Sequence, residues 1–259
     1  MKRWLVNGGI AVSVVVAIAA ALLVGMSLGS SGVAVGRTEG SSPAPRAAPS
    51  PFVTGTAAPS TGAPASVTTV VEEQEEQAVA LFVGDSYTVG EGASSPEQRW
   101  STVVSRELDW VEVNVAQGGT GYVSNNPDIP KLSYEEQLSA APTDGVDFVV
   151  IAGGQNDFPE LRDDPQEVYR AVSRTFRLAA ERFPEAELVA VGPSTPWDIG
   201  LEVHALDSAV RAAAERYDAT YVSLVDPDVV LDRFVDEDNV HVNDDGYAAI
   251  ARRVIAQIS

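Results

Sequence analysis

Residues 146–157 read Val-Asp-Phe-Val-Val-Ile-Ala-Gly-Gly-Gln-Asn-Asp. Seven mostly apolar residues end abruptly in two glycines and a polar trio. A continuous apolar run of this length, bounded by glycine, predicts a strand buried on both faces. Its neighbours repeat the theme. Strand-like runs are expected at 78–83, 110–115, 187–191 and 220–225, with helical patterns at 96–108, 133–140, 165–182, 200–217 and 244–257. Strands alternating with helices imply parallel strands joined by crossover helices, an α/β fold built as a three-layer α/β/α sandwich. Val111-Glu112-Val113-Asn114-Val115 alternates instead of running apolar, which marks a half-exposed strand at or near a sheet edge.

Outside 78–259 the chain reads differently. Lys2 and Arg3 precede an uncharged, apolar stretch from Ile10 to Leu28. As a helix it would span about 28 Å, close to the hydrocarbon thickness of a bilayer. Residues 1–29 are therefore expected to be an export segment, a signal peptide or a membrane anchor. Gly32-Val33-Ala34 is a mediocre cleavage site, which favours the anchor. The positive charges would then stay inside and the remainder would be extracytoplasmic. Residues 30–77 hold six of the 16 prolines among Ser, Thr, Ala and Gly, a composition that reads as a disordered tether.

Composition removes several functions. The 259 residues carry 17 basic and 37 acidic side chains, a formal net charge of −20. Four basic residues and one acidic residue lie in 1–46, so the remainder carries −23. Such a domain is not expected to bind nucleic acid, whose phosphates demand basic patches. There is no cysteine, hence no disulfide, thiolate metal site or cysteine nucleophile. Two histidines without His-Glu-x-x-His argue against a zinc hydrolase, and neither a metal nor another cofactor is expected. No Gly-x-Ser-x-Gly elbow occurs, and Gly119-x-Gly121 lacks the third glycine of a dinucleotide site. No spacing singles out a carboxylate pair of the glycosidase kind.

In open parallel sheets, ligands bind beyond the carboxyl ends of the strands. Reading those ends in order gives Gly84-Asp85-Ser86, then Gln117-Gly118-Gly119-Thr120-Gly121, then Gly154-Gln155-Asn156-Asp157, and before the last helix Asp238-Asn239-Val240-His241. Each piece alone is turn chemistry. Together they contain every part of an acyl-transfer site. A serine hydroxyl needs a base to take its proton, and neutral imidazole serves at neutral pH. The imidazole needs an acceptor on its other nitrogen, which Asp238 offers to His241. The oxyanion needs donors, which the Ser86 and Gly118 N–H groups and the Asn156 amide offer.

In these four blocks the chain resembles the SGNH, or GDSL-type, hydrolase family, over roughly 78–259. The resemblance implies a flavodoxin-like sheet of five parallel strands in order 2-1-3-4-5, which also puts the second strand at an edge. It implies a catalytic triad of Ser86, Asp238 and His241 with Ser86, Gly118 and Asn156 as oxyanion donors. Tyr87 stands where the family often has leucine, and Val242 where a proline often follows the histidine. Gly118 and Gly119 both fit the oxyanion position, and the Gly-x-Thr-Gly pattern favours Gly118. The expected activity is an esterase on O-acyl or lipid esters, with small-molecule, lipid or glycan substrates. The rivals are an acyltransferase using the same triad and a catalytically silent surface-binding module. His204, inside a helical pattern, is expected to be a surface or packing residue. Trp197 is expected either to wall the pocket or to cover the core edge.

Overall fold

The computed structural model describes residues 76–125 and 130–259. The expected export segment at 1–29 and the tether up to residue 75 lie outside the described residues. Among the described residues, no helix is long and apolar enough to cross a membrane.

Five strands form one parallel sheet: β1 (Val79–Gly84), β2 (Val111–Asn114), β3 (Phe148–Ala152), β4 (Glu187–Val191) and β5 (Thr220–Val222). Their order is β2-β1-β3-β4-β5, the expected one. β2 lies at the edge, as its alternation indicated. The strand ends are in register where the chemistry was expected: Gly84 pairs with Ala152, and Ala152 with Val191. The loops that follow therefore start from one rim.

Alternate residues of each central strand face opposite layers. Leu81, Val83, Val149, Ile151, Leu188 and Ala190 pack into one core, with Leu138, Val172, Phe176 and Leu206. These come from α3 (Tyr134–Ala140), α5 (Pro165–Arg182) and α6 (Leu201–Arg216). Ala80, Phe82, Val150, Val189 and Val222 pack into the other, with Trp100, Val104, Tyr247, Ile250 and Val254. These belong to α2 (Trp100–Glu107) and α7 (Asp244–Ile258). The result is a three-layer sandwich whose central strands are buried on both faces.

Helix starts follow local chemistry. Ser133 and Glu136 form a capping box at α3, and Asp164 caps α5 ahead of Pro165. At α7 the Asn243 side chain accepts from the Gly246 N–H. Two short helices lie outside the expected set: α1 (Ser86–Val89) and α4 (Phe158–Asp163). Both are single turns or little more, too short to show a 3.6-residue period. β5 stops at Val222, short of the expected 225, because the Ser223 hydroxyl accepts from the Val225 and Asp226 N–H groups and turns the chain.

Candidate active site

The nucleophile candidate sits where β1 breaks into α1. Asp85 caps that turn, its carboxylate accepting from the Tyr87 N–H at 3.0 Å. The other carboxylate oxygen accepts from the Tyr134 hydroxyl at 2.9 Å and the Gly154 N–H at 3.2 Å. Burial pushes the Asp85 carboxyl up to about 6, against the pull of those three hydrogen bonds. Asp85 thus ties the loop after β1 to the loop after β3. A side chain at Gly153, whose φ is +116°, would collide with both Asp85 and Tyr134. Ser86, the first residue of α1, is 5% exposed.

Gly118 faces Ser86. A Cβ placed on Gly118 would lie 3.5 Å from the Ser86 Cβ, whereas one on Gly119 would meet Lys131 Nζ at 3.2 Å. Of the two glycines, Gly118 is therefore the one turned toward the serine. The N–H groups of Ser86 and Gly118 meet no acceptor among the described residues. The Asn156 amide donates one hydrogen to the Thr120 carbonyl at 2.8 Å, and a primary amide has a second to offer.

A second tie holds the donor loops. The buried Asp157 carboxylate accepts from the N–H groups of Tyr122, Val123 and Ser124 at 2.7, 3.1 and 2.9 Å. The Ser124 hydroxyl returns a bond to the Asn156 carbonyl at 2.7 Å. Gln137, buried on α3, adds bonds to both backbone groups of Gly84 and to the Thr120 hydroxyl.

The base candidate comes from the loop before α7. His241 Nδ1 lies 2.5 Å from Asp238 Oδ2. Asp238 Oδ1 accepts from the Val240 and His241 N–H groups, each at 2.9 Å. Burial opposes ionisation of Asp238, but these bonds and the imidazole win and hold it down at about 2. Asp238 is therefore ionised at neutral pH and fixes the ring. Tyr87, in the place of the family's leucine, donates from its hydroxyl to the Val240 carbonyl at 2.8 Å and anchors this loop to α1. On the far side of the ring, His241 Nε2 faces Glu91 Oε2 at 3.4 Å. No hydrogen bond links the Ser86 hydroxyl to His241 among the described residues. The structure thus brings Asp238 to His241 and Ser86 to Gly118, with Glu91 standing at the ring nitrogen that a serine would use.

A family model described as GDSL-like lipase/acylhydrolase matches residues 82–249. The chain belongs to that family. As a GDSL hydrolase it is an ester-hydrolysing serine hydrolase. It is 28% identical over 188 residues to a GDSL lipase of Mycobacterium tuberculosis, covering 68% of this chain and 80% of that one. Its fold is similar to that of a family two carbohydrate esterase from Cellvibrio japonicus, at 20% identity and a TM-score of 0.57, covering 70% of this chain and 60% of that one. An extracellular lipase from Streptomyces rimosus shares the fold at 13% identity and a TM-score of 0.56, over 70% of this chain and 99% of that one.

Several residues of this GDSL site escape sequence reasoning. Asp85 and Asp157 read as turn residues, yet each joins two loops. Glu91 and Lys131 carry no spacing signal; Lys131 Nζ donates to the Gly118 carbonyl. Trp197 lies in the loop after β4 and is 52% exposed. His204 is exposed on α6, as expected.

Proposed function

We propose that this GDSL hydrolase is an extracytoplasmic serine esterase working through an acyl-serine intermediate. Ser86 attacks the ester carbonyl while His241 takes its proton, and Asp238 orients the imidazole and stabilises the imidazolium. The carbonyl oxygen becomes an oxyanion that accepts from the Ser86 and Gly118 N–H groups and the Asn156 amide. The protonated His241 then gives its proton to the departing alcohol. Water, deprotonated by His241, attacks the acyl-serine and releases the acid. The observation that carries this reading is the His241–Asp238 pair, at 2.5 Å, on the same rim as a serine that faces a bare glycine.

The apolar stretch from Ile10 to Leu28, behind Lys2 and Arg3, supports an envelope or external location. Esters on glycans or lipids are the substrates available there, and the membrane is a partner through residues 1–29 if they are retained. A fluorophosphonate probe tests the nucleophile: it labels the wild type and not Ser86→Ala. Ser86→Ala and His241→Ala are each expected to lose nearly all p-nitrophenyl acetate turnover. Retention of most activity by either variant refutes the triad. A chain-length series of acyl esters, run beside an acetylated glycan and a lysophospholipid, then ranks the substrate classes.

A further inference from the structure

The carboxylate of Glu91 stands inside the site described above and takes no part in the acyl-transfer scheme. Its backbone is fixed. The Glu91 N–H donates to the Ser86 carbonyl at 3.0 Å, and the Tyr247 hydroxyl donates to the Glu91 carbonyl at 2.5 Å. It lies between Gly90 and Gly92, whose φ angles of +86° and +92° are in the region that favours glycine. A side chain on Gly92 would collide with the Val242 carbonyl and press on His241 Cβ at 3.1 Å, so this turn packs directly against the histidine loop. The turn delivers the Glu91 side chain to two places at once. Oε2 lies 3.4 Å from His241 Nε2, and Oε1 occupies the space that a Cβ on Gly118 would take. The side chain is 48% exposed, so it is free to swing aside.

We propose that Glu91 is a specificity-determining residue that selects substrates by charge, turning away esters with an anionic group near the scissile carbonyl and favouring neutral or cationic ones. The inference rests on Ser86 and His241 being the reacting pair. An ester carbonyl entering beside Gly118 displaces the Glu91 carboxylate but leaves it a few ångströms away, tethered by its fixed backbone. A negative charge on the acyl chain then meets a like charge at the mouth of a partly desolvated site, where repulsion is stronger than in water. The same repulsion acts on the carboxylate product and favours its departure. Lys131 is the nearby cation, but its ammonium is engaged by the Gly118 carbonyl. Asp238 holds Nδ1 of the imidazole, and Glu91 is the charge at Nε2, the nitrogen turned to the substrate side.

The test uses three p-nitrophenyl esters of similar length: the neutral butyrate, the anionic hemisuccinate and a cationic trimethylammonio-butyrate. kcat/KM is measured for the wild type, Glu91→Gln and Glu91→Asp at low and high salt. Glu91→Gln is expected to raise the anionic-to-neutral ratio about tenfold and to lower the cationic-to-neutral ratio. Glu91→Asp is expected to keep the wild-type order. Added salt should shrink the wild-type discrimination and leave that of Glu91→Gln nearly unchanged. Butyrate should inhibit Glu91→Gln more strongly than the wild type. Equal effects of Glu91→Gln on all three esters overturn the proposal. Ser86→Ala, run alongside, separates the two readings: if it stays active, the triad fails; if it is dead while Glu91→Gln keeps the wild-type ratios, only the role of Glu91 fails.

Discussion

Replacing Asp157 with alanine cuts the tie between the loops after β2 and β3. Three N–H donors lose a carboxylate partner. Hydrogen bonds to a charged group contribute about 1.5–3 kcal/mol each, which sets an upper bound near 9 kcal/mol. Two effects reduce it. Val123 and Ser124 are only half-buried, so water can reach their N–H groups, whereas Tyr122 is 2% exposed. Burial also pushes the Asp157 carboxyl above its ordinary range, so desolvation of the ion already cancels part of the gain. A net loss of about 3 kcal/mol remains. For a domain of this size, that lowers Tm by roughly 6–12 °C. Because Asn156 and the loop from Gly118 lose their common anchor, kcat should fall at least about tenfold in protein that is still folded. Gly121 supplies an internal control, since a Cβ there would run into the Asp157 carboxylate. Gly121→Ala should be damaging in the wild type and much less so in Asp157→Ala, a non-additivity of about 1–2 kcal/mol. Thermal melts and p-nitrophenyl acetate turnover on the four proteins measure both. A Tm change under about 2 °C for Asp157→Ala, or strict additivity in the double variant, refutes the reasoning.

Asn156→Ala removes the amide proposed as an oxyanion donor and should lower kcat by about 10²–10³, with KM little changed and Tm within a few degrees; steady-state kinetics decide it. Tyr87→Phe deletes the hydroxyl that holds the Val240 carbonyl. It should cost about 1 kcal/mol in urea melts and lower kcat through a looser His241 loop. Asp85 gives a signed pH dependence. Its folded value of about 6 lies above the ordinary 3.8, so the folded state holds a proton where the unfolded chain does not. Its contribution is complete below about pH 4 and is lost as pH rises through about 6, roughly 3 kcal/mol in all. Urea midpoints should therefore show the wild type losing about that much stability relative to Asp85→Asn between pH 4 and pH 7.

Residues 146–157 were enough to place the central strand and the loop after it, because a strand buried on both faces must be apolar throughout. β2 announced its edge position through Glu112 and Asn114, which an interior strand would not tolerate. The four rim blocks were legible for a related reason: a parallel sheet sends every strand end to one side, so order along the chain becomes proximity in space. Asp85, Gln137 and Asp157 were not legible as ties. Most of their partners are backbone groups, up to 69 residues away, and backbone groups leave no mark on a sequence. Glu91 is one of 37 acidic residues, and only the turn between Gly90 and Gly92 distinguishes it.

The placement of α7 has a consequence for how the protein comes into being. The serine opens α1, just after the first strand of the sheet, while the histidine lies in the loop before the last helix. Tyr247, Ile250, Ala251 and Val254 of that helix fill the second core, so the base reaches the rim only when the outer layer closes. On the proposed mechanism, a chain whose α7 has not packed would present Ser86 without the His241–Asp238 pair. Under the proposed mechanism, turnover counts only molecules in which α7 has packed onto the sheet, so an assay of it also reports the folding of that layer.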